Sequence, residues 1–166
     1  MNFLEELAAE WYEYQGYFVR RNVLVDRRAK GGHGTELDVV AFHPEKKHLV
    51  HLEASMDTYS WAAREENFRR KFEAGQRNVP KLFKGLELPD EIEKIVLHGY
   101  ASKKNYQYVG GGRIVLIEEL LTDILKELRN VKVSNNAVPE DKPLLRMLQF
   151  VTDNRTTVLE ALNGER

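Results

Sequence analysis

The stretch from 36 to 55, ELDVVAFHPEKKHLVHLEAS, constrains the fold of this chain more than any other. Two apolar runs flank a polar PEKK at 44–47, a pattern that predicts an antiparallel hairpin with His43 paired to His48. In that register Val40 lies opposite His51, Asp38 opposite Glu53 and Glu36 opposite Ser55, all on one face by the period of two. Carboxylates directly across an antiparallel pair have Cβ atoms roughly 5 Å apart, which is unfavourable unless positive charge lies between them. The segment therefore reads as a cation site, or as a solvated hairpin face on which two acids meet. Oxygen ligands in a chain without cysteine favour a hard ion, magnesium or manganese, and that ion suits phosphate chemistry.

The remaining pattern predicts a helix at 2–15 closed by Gly16, a strand at 17–26 and a mobile glycine-rich loop, RRAKGGHGT, at 27–35. A long charged helix follows at 59–84, kinked or interrupted at Pro80, then strands at 93–102 and 113–117 and a helix over EELLTDILKELR. GGG at 110–112 reads as a turn before a strand, because no helix start or Lys-Ser/Thr follows it. We divide the chain into a core at 1–130, a linker at 131–143 and a helical appendage at 144–166. The length accommodates one domain with a core, and the formal charge of −1 means that any nucleic-acid role must rest on a local patch. Without cysteine, thiolate zinc sites and disulfides are excluded, and the acidic amphipathic start does not match a signal peptide, so a cytoplasmic location is expected.

The order helix, strand, strand with Asp, strand with Glu, helix, strand resembles the PD-(D/E)xK nuclease superfamily over roughly residues 3–102. FLEELAAEWYEYQGYFV resembles its opening helix with the glycine-aromatic exit, ELDVVAF its Asp strand and LVHLEAS its third strand. The resemblance implies an α/β, restriction endonuclease-like core. Its mixed sheet would have four to five strands flanked by helices in the order α-β-β-β-α-β, followed here by C-terminal helices. It implies a magnesium or manganese cofactor, with Asp38 and Glu53 as metal ligands, the carbonyl of Ala54 as a third and Glu5 as an outer acid, for which Glu6 and Glu10 compete. Two positions depart from the pattern. Leu37 stands where the family often has Pro, and Ser55 where it has the catalytic Lys, so positive charge is missing at the scissile phosphate.

Arg64, in the first turns of the long helix, is the first candidate to replace that Lys, since Lys71 would lie about 10 Å further along. Arg64 equally reads as a surface residue pairing with nearby Glu side chains. His51, on the acid face, and His33, in the glycine loop, could act as general bases, although a hydrogen-bonded structural role for His51 and a bystander role for His33 are the simpler readings. His43, His48 and His98 read as strand-end or surface residues. Arg69, Arg70, Lys71 and Arg77, with His33, form the candidate phosphate-contact surface, and the same charges also fit a solvated helix with pairs such as Glu66–Arg70.

Three functional classes follow. The first is a metal-dependent nuclease, endonuclease or exonuclease, in which metal-activated water hydrolyses a phosphodiester, with nucleic acid as partner, DNA before RNA. The second is a nuclease-fold module that binds nucleic acid but has lost the reaction. The third is an interaction protein whose C-terminal helices dock a partner or a second copy, forming a homodimer.

Overall fold

The computed structural model describes residues 2–99 and 106–164. The chain forms two compact units, Met1–Ile117 and Glu118–Arg166. No helix among the described residues is long and apolar enough to cross a membrane.

The first unit is an α/β arrangement of helices α1 (Phe3–Tyr14) and α2 (Trp61–Leu82) against a mixed sheet. Its strands are β1 (Phe18–Arg27), β2 (His33–His43), β3 (His48–Ser55), β4 (Glu93–His98), β5 (Tyr108–Val109) and β6 (Gly112–Leu116), in the order β1-β2-β3-β4-β6-β5. β1, β2 and β3 are antiparallel neighbours, whereas β3, β4 and β6 run parallel and β5 closes the edge antiparallel to β6. A parallel step needs a crossover, and α2 supplies the one between β3 and β4.

The hairpin register expected from sequence is present. His43 pairs with His48 and Val40 with His51, and the ladder runs to Val39↔Leu52. Beyond it the Asp38 side chain takes over from the backbone, so Glu36 and Ser55 are not ladder partners. β3 is central and buried on both faces, which explains its nearly continuous apolar run.

Four elements differ from the sequence expectation. The sheet has six strands instead of four to five, because GGG is a hairpin turn. Gly110 and Gly111 adopt φ of 58° and 81°, the left-handed pair that a two-residue hairpin needs, and Val109 pairs with Gly112 across them. A Cβ on Gly110 would lie 2.4 Å from the Arg69 amide nitrogen, so only glycine lets this turn rest on α2, where its N–H donates to Glu65. The glycine-rich loop is shorter than expected, since β2 begins at His33 and pairs it with Arg27. Pro80 lies in the last turn of α2, which continues to Leu82, so it does not interrupt the helix. β4 ends at His98, and the remainder of the strand expected at 93–102 includes 100–102, which lie outside the described residues.

α1 is closed at its start by a capping box between Asn2 and Glu5, and at its end by Gly16 at φ 89°. The apolar face of α2 carries Phe68, Phe72, Ala74, Gly75 and Val79. Val79 and Ala74 pack with Val40, Phe42 and Leu49 from the hairpin, while Phe68 and Phe72 pack with Val96, Val109 and Ile114.

The second unit holds α3 (Ile117–Leu128) from Glu118 onward, a short 3₁₀ turn at Val133–Asn135, α4 (Pro143–Asp153) and α5 (Arg155–Asn163). Residues 131–143, read from sequence as a linker, are folded into this unit. The Gln149 amide donates to the carbonyls of Val131 and Lys132, Val138 is fully buried, and Arg146 donates to the Val138 carbonyl. Met147, Phe150, Leu159 and Leu162 are exposed on α4 and α5.

Candidate active site

Strand geometry and one helix bring four ionisable groups together. Asp38 leaves β2 at the end of the hairpin ladder, and Glu53 and His51, two residues apart on β3, share its face. α2 crosses this face and lowers Lys71 between the carboxylates. Its Nζ donates to Asp38 Oδ1 at 2.8 Å and to Glu53 Oε2. The second oxygen of each carboxylate is held by the scaffold. The Ala54 N–H donates to Asp38 Oδ2 at 2.9 Å, and His51 Nε2 lies 2.6 Å from Glu53 Oε1. Each acid thus offers one clamped oxygen and one directed at a single cationic position.

The helix is shaped for this contact. A Cβ on Gly75, one turn beyond Lys71, would sit 2.2 Å from His51 Nδ1, so the glycine makes room for the imidazole. Phe72 meets the same ring edge-on, with centroids 5.0 Å apart. A mid-helix glycine costs about 1 kcal/mol relative to alanine, and seating His51 accounts for it.

Burial governs the electrostatics. Asp38 is raised to about 6 by desolvation and then by the Glu53 charge, against the pull of Lys71. Burial also raises Glu53. His51 is lowered to about 3, first by burial and then by Lys71, so it is neutral at pH 7. With Glu53 ionised, the His51 Nε2 nitrogen carries the hydrogen and donates it. His51 therefore orients Glu53 and is not a free base. Burial pulls Lys71 down, but its two carboxylate partners outweigh that and leave it above its ordinary value.

Glu5 is near enough that burial, followed by the Asp38 charge, raises its pKa, yet its carboxylate serves the Asn2 cap. Glu6 pairs with Arg21 of β1, and Glu10 is fully buried.

Arg64 pairs with Asp57, whereas the cation at the carboxylates is Lys71. The Arg64 Nε lies 3.2 Å from Asp57 Oδ1, and the guanidinium also donates to the Asp57 carbonyl and covers the Trp61 ring at 5.0 Å. The Ser55 hydroxyl donates to that same Asp57, tying the end of β3 to the start of α2. Lys71, passed over for distance and grouped with the surface cations, holds the site. Distance along the axis misleads here, because helical side chains lean toward the N-terminus and a lysine stem carries its charge several ångströms from Cα. The signal that could have found it is its place beside Phe68, Phe72 and Gly75, a cation bordering the buried stripe.

The other surface cations are partly spoken for. Arg69 is bound by Glu66 and Glu73, Arg77 by Asp26, and Arg70 donates to the Asn67 amide. His33 is exposed on β2. His48 is the first residue of β3, where it bridges Tyr17 and Glu93. His98 is buried at the end of β4.

Among the described residues no group of three His, Cys, Asp or Glu side chains is placed to hold a metal ion. The donor set is two convergent carboxylate oxygens. That fits a magnesium ion retaining most of its waters and does not fit an all-protein cage.

No protein-family model and no curated protein matches the chain. Among solved structures it is similar to one titled "Crystal Structure of Protein of Unknown Function AF1548". The TM-score is 0.44 at 13% identity, covering 92% of this chain and 96% of that one. So distant a likeness establishes neither family nor function.

Proposed function

We propose that the first unit is a restriction endonuclease-like domain that hydrolyses phosphodiester bonds of nucleic acid. Asp38 and Glu53 would hold a divalent cation, magnesium or manganese, and Lys71 would stand in for the motif lysine. One observation carries the reading: two buried carboxylates, each with one oxygen clamped, converge on a position that binds positive charge.

A divalent ion, when bound there, supplies charge neutralisation and a lowered pKa for an attacking water. The protein's own contribution begins with orientation: the Ala54 amide and the neutral His51 fix the carboxylates without spending an acid on the task. Lys71, on a flexible stem and 22% exposed, then turns from the carboxylates to the substrate phosphate, where its ammonium balances developing negative charge.

The test is a cleavage screen over single-stranded, duplex and branched DNA and RNA with magnesium or manganese. Wild type should cut at least one substrate, while Asp38→Asn, Glu53→Gln and Lys71→Met should not. Cleavage that survives Asp38→Asn and Glu53→Gln would refute the assignment.

Lys71 in the cation position and Ser55 in the motif position also support a second reading, a nuclease-fold module that binds nucleic acid without cutting it. Binding that persists with no cleavage of any substrate, in wild type and in Ser55→Lys, would select it.

A further inference from the structure

We infer that the tip of the β1–β2 ribbon and one stripe of α2 form a joint phosphate-binding surface for double-stranded nucleic acid. This rests on the nuclease reading for the class of partner, though the surface is defined independently of the carboxylate site. The tip, 27–34, reads RRAKGGHG, three cations with no acid. Every residue of it is exposed, and Arg27, Arg28 and Lys30 have no acidic partner among the described residues.

The tip is held in place. Val25 and Leu37 of the ribbon pack with Ala74 and Val79 of α2, and Asp26 accepts from Arg77 at 2.9 Å and from Asn78 at 2.9 Å. Asn22 and Asp26 adopt φ of 50° and 55°, left-handed residues that drop out of the β1–β2 ladder. Gly34 lies opposite Asp26, where a Cβ would come within 3.1 Å of the Asp26 Cβ. A ribbon fixed this firmly presents its charges in one place, and pairing Asp26 with Arg77 leaves the tip's own charge uncancelled.

α2 extends the surface from the same anchor. Arg70, Arg77 and Lys81 lie on one side at spacings of seven and four, spanning about 16 Å, and the Lys81 charge is felt at Asp26. Arg70 and Lys81 donate only to the amides of Asn67 and Asn78, so both keep their charge. The neighbouring Arg69 is neutralised by Glu66 and Glu73 and falls outside the surface.

Five uncancelled cations on two elements suit rows of phosphates. Single-strand binders add aromatic rings on which bases stack. Neither the tip nor the 70/77/81 stripe carries an aromatic residue. The exposed Tyr59 and Tyr106 belong to other segments. The surface therefore selects duplex over single strand, and reads phosphates without reading sequence.

The experiment measures affinity for a 20-base-pair DNA duplex and for one of its strands by fluorescence anisotropy across a salt series, in calcium, with the full chain. Arg28→Ala/Lys30→Ala and Arg70→Ala/Lys81→Ala should each flatten the slope of log K against log salt by about 1.8, roughly 0.9 per lost contact. Arg69→Ala should leave the slope unchanged. Melting temperatures should stay at the wild-type value, since all five positions are exposed. An unchanged slope in both double variants, no duplex binding by wild type, or tighter binding of the single strand lost in Trp61→Ala would overturn the proposal. Failure of the nuclease reading looks different: slopes that fall as expected with no cleavage of duplex in magnesium leave the surface standing. Cleavage dependent on Asp38 and Glu53 with unchanged slopes sinks the surface alone.

Discussion

Replacing Lys71 with methionine keeps the apolar stem and removes the charge that separates Asp38 from Glu53. With Lys71 in place, Asp38 already stands at about 6 against an ordinary 3.8, which corresponds to roughly 3 kcal/mol of ionisation cost. Without the ammonium, both carboxylates titrate higher still. A carboxylate whose folded pKa lies above its unfolded value destabilises the fold when ionised, so stability falls as pH rises through the folded pKa. The Lys71→Met penalty should therefore be about 3–5 kcal/mol at pH 8, the usual cost of breaking a buried ion pair. At pH 5, where the acids take up protons, only the lost hydrogen bonds remain, worth about 1 kcal/mol. Lys71's own titration, above its ordinary value, lies outside this window. Urea unfolding of both proteins at the two pH values checks the difference. An equal penalty at pH 5 and pH 8 would show that Lys71 does not hold two ionised carboxylates together.

Other consequences concern the same elements. Gly75→Ala should lower stability by about 1–2 kcal/mol, the clash with His51 outweighing the gain in helix propensity; it should also reduce cleavage by displacing Glu53, and unchanged cleavage would remove His51 from the site. Ser55→Lys in the Lys71→Met background should restore part of the lost cleavage, because residue 55 shares the Glu53 face, whereas Arg64→Ala should affect folding more than catalysis because Arg64 holds Asp57. Two-sided urea denaturation and a single-turnover cleavage assay separate these effects. The Asp26→Ala variant should lose about 1 kcal/mol, the worth of its hydrogen bonds to Arg77 and Asn78, and should loosen the ribbon tip in hydrogen exchange.

Much of the site was legible where period and pairing decide position. The PEKK turn sets the hairpin register, and the register alone brings Asp38 and Glu53 to one face with His51 beside them. What was not legible depends on how α2 lies over the sheet. Choosing Lys71 over Arg64 requires knowing that Asp57, in the connecting loop, captures Arg64, a contact that no spacing rule reports. The purpose of Gly75 appears only when His51 is seen beneath it. The GGG turn is legible as a turn, but β5 is not, because two residues carry no periodicity. Likewise the glycine-rich loop hid three strand residues, since Gly31, Gly32 and Gly34 read as loop and His33 and Thr35 are placed by pairing with Arg27 and Val25 of β1. Charge counting along α2 overstated its free cations, because Arg69 and Arg77 are paired with acids.

Calorimetric titration with manganese at pH 8 addresses the carboxylate pair itself. If Asp38 and Glu53 bind a divalent cation in exchange for Lys71, wild type takes up one ion per chain and Lys71→Met binds it more tightly, because the competing ammonium is gone. Asp38→Asn and Glu53→Gln then lose the binding. Equal binding by wild type and Asp38→Asn, or no tightening in Lys71→Met, would contradict a cation site between these carboxylates.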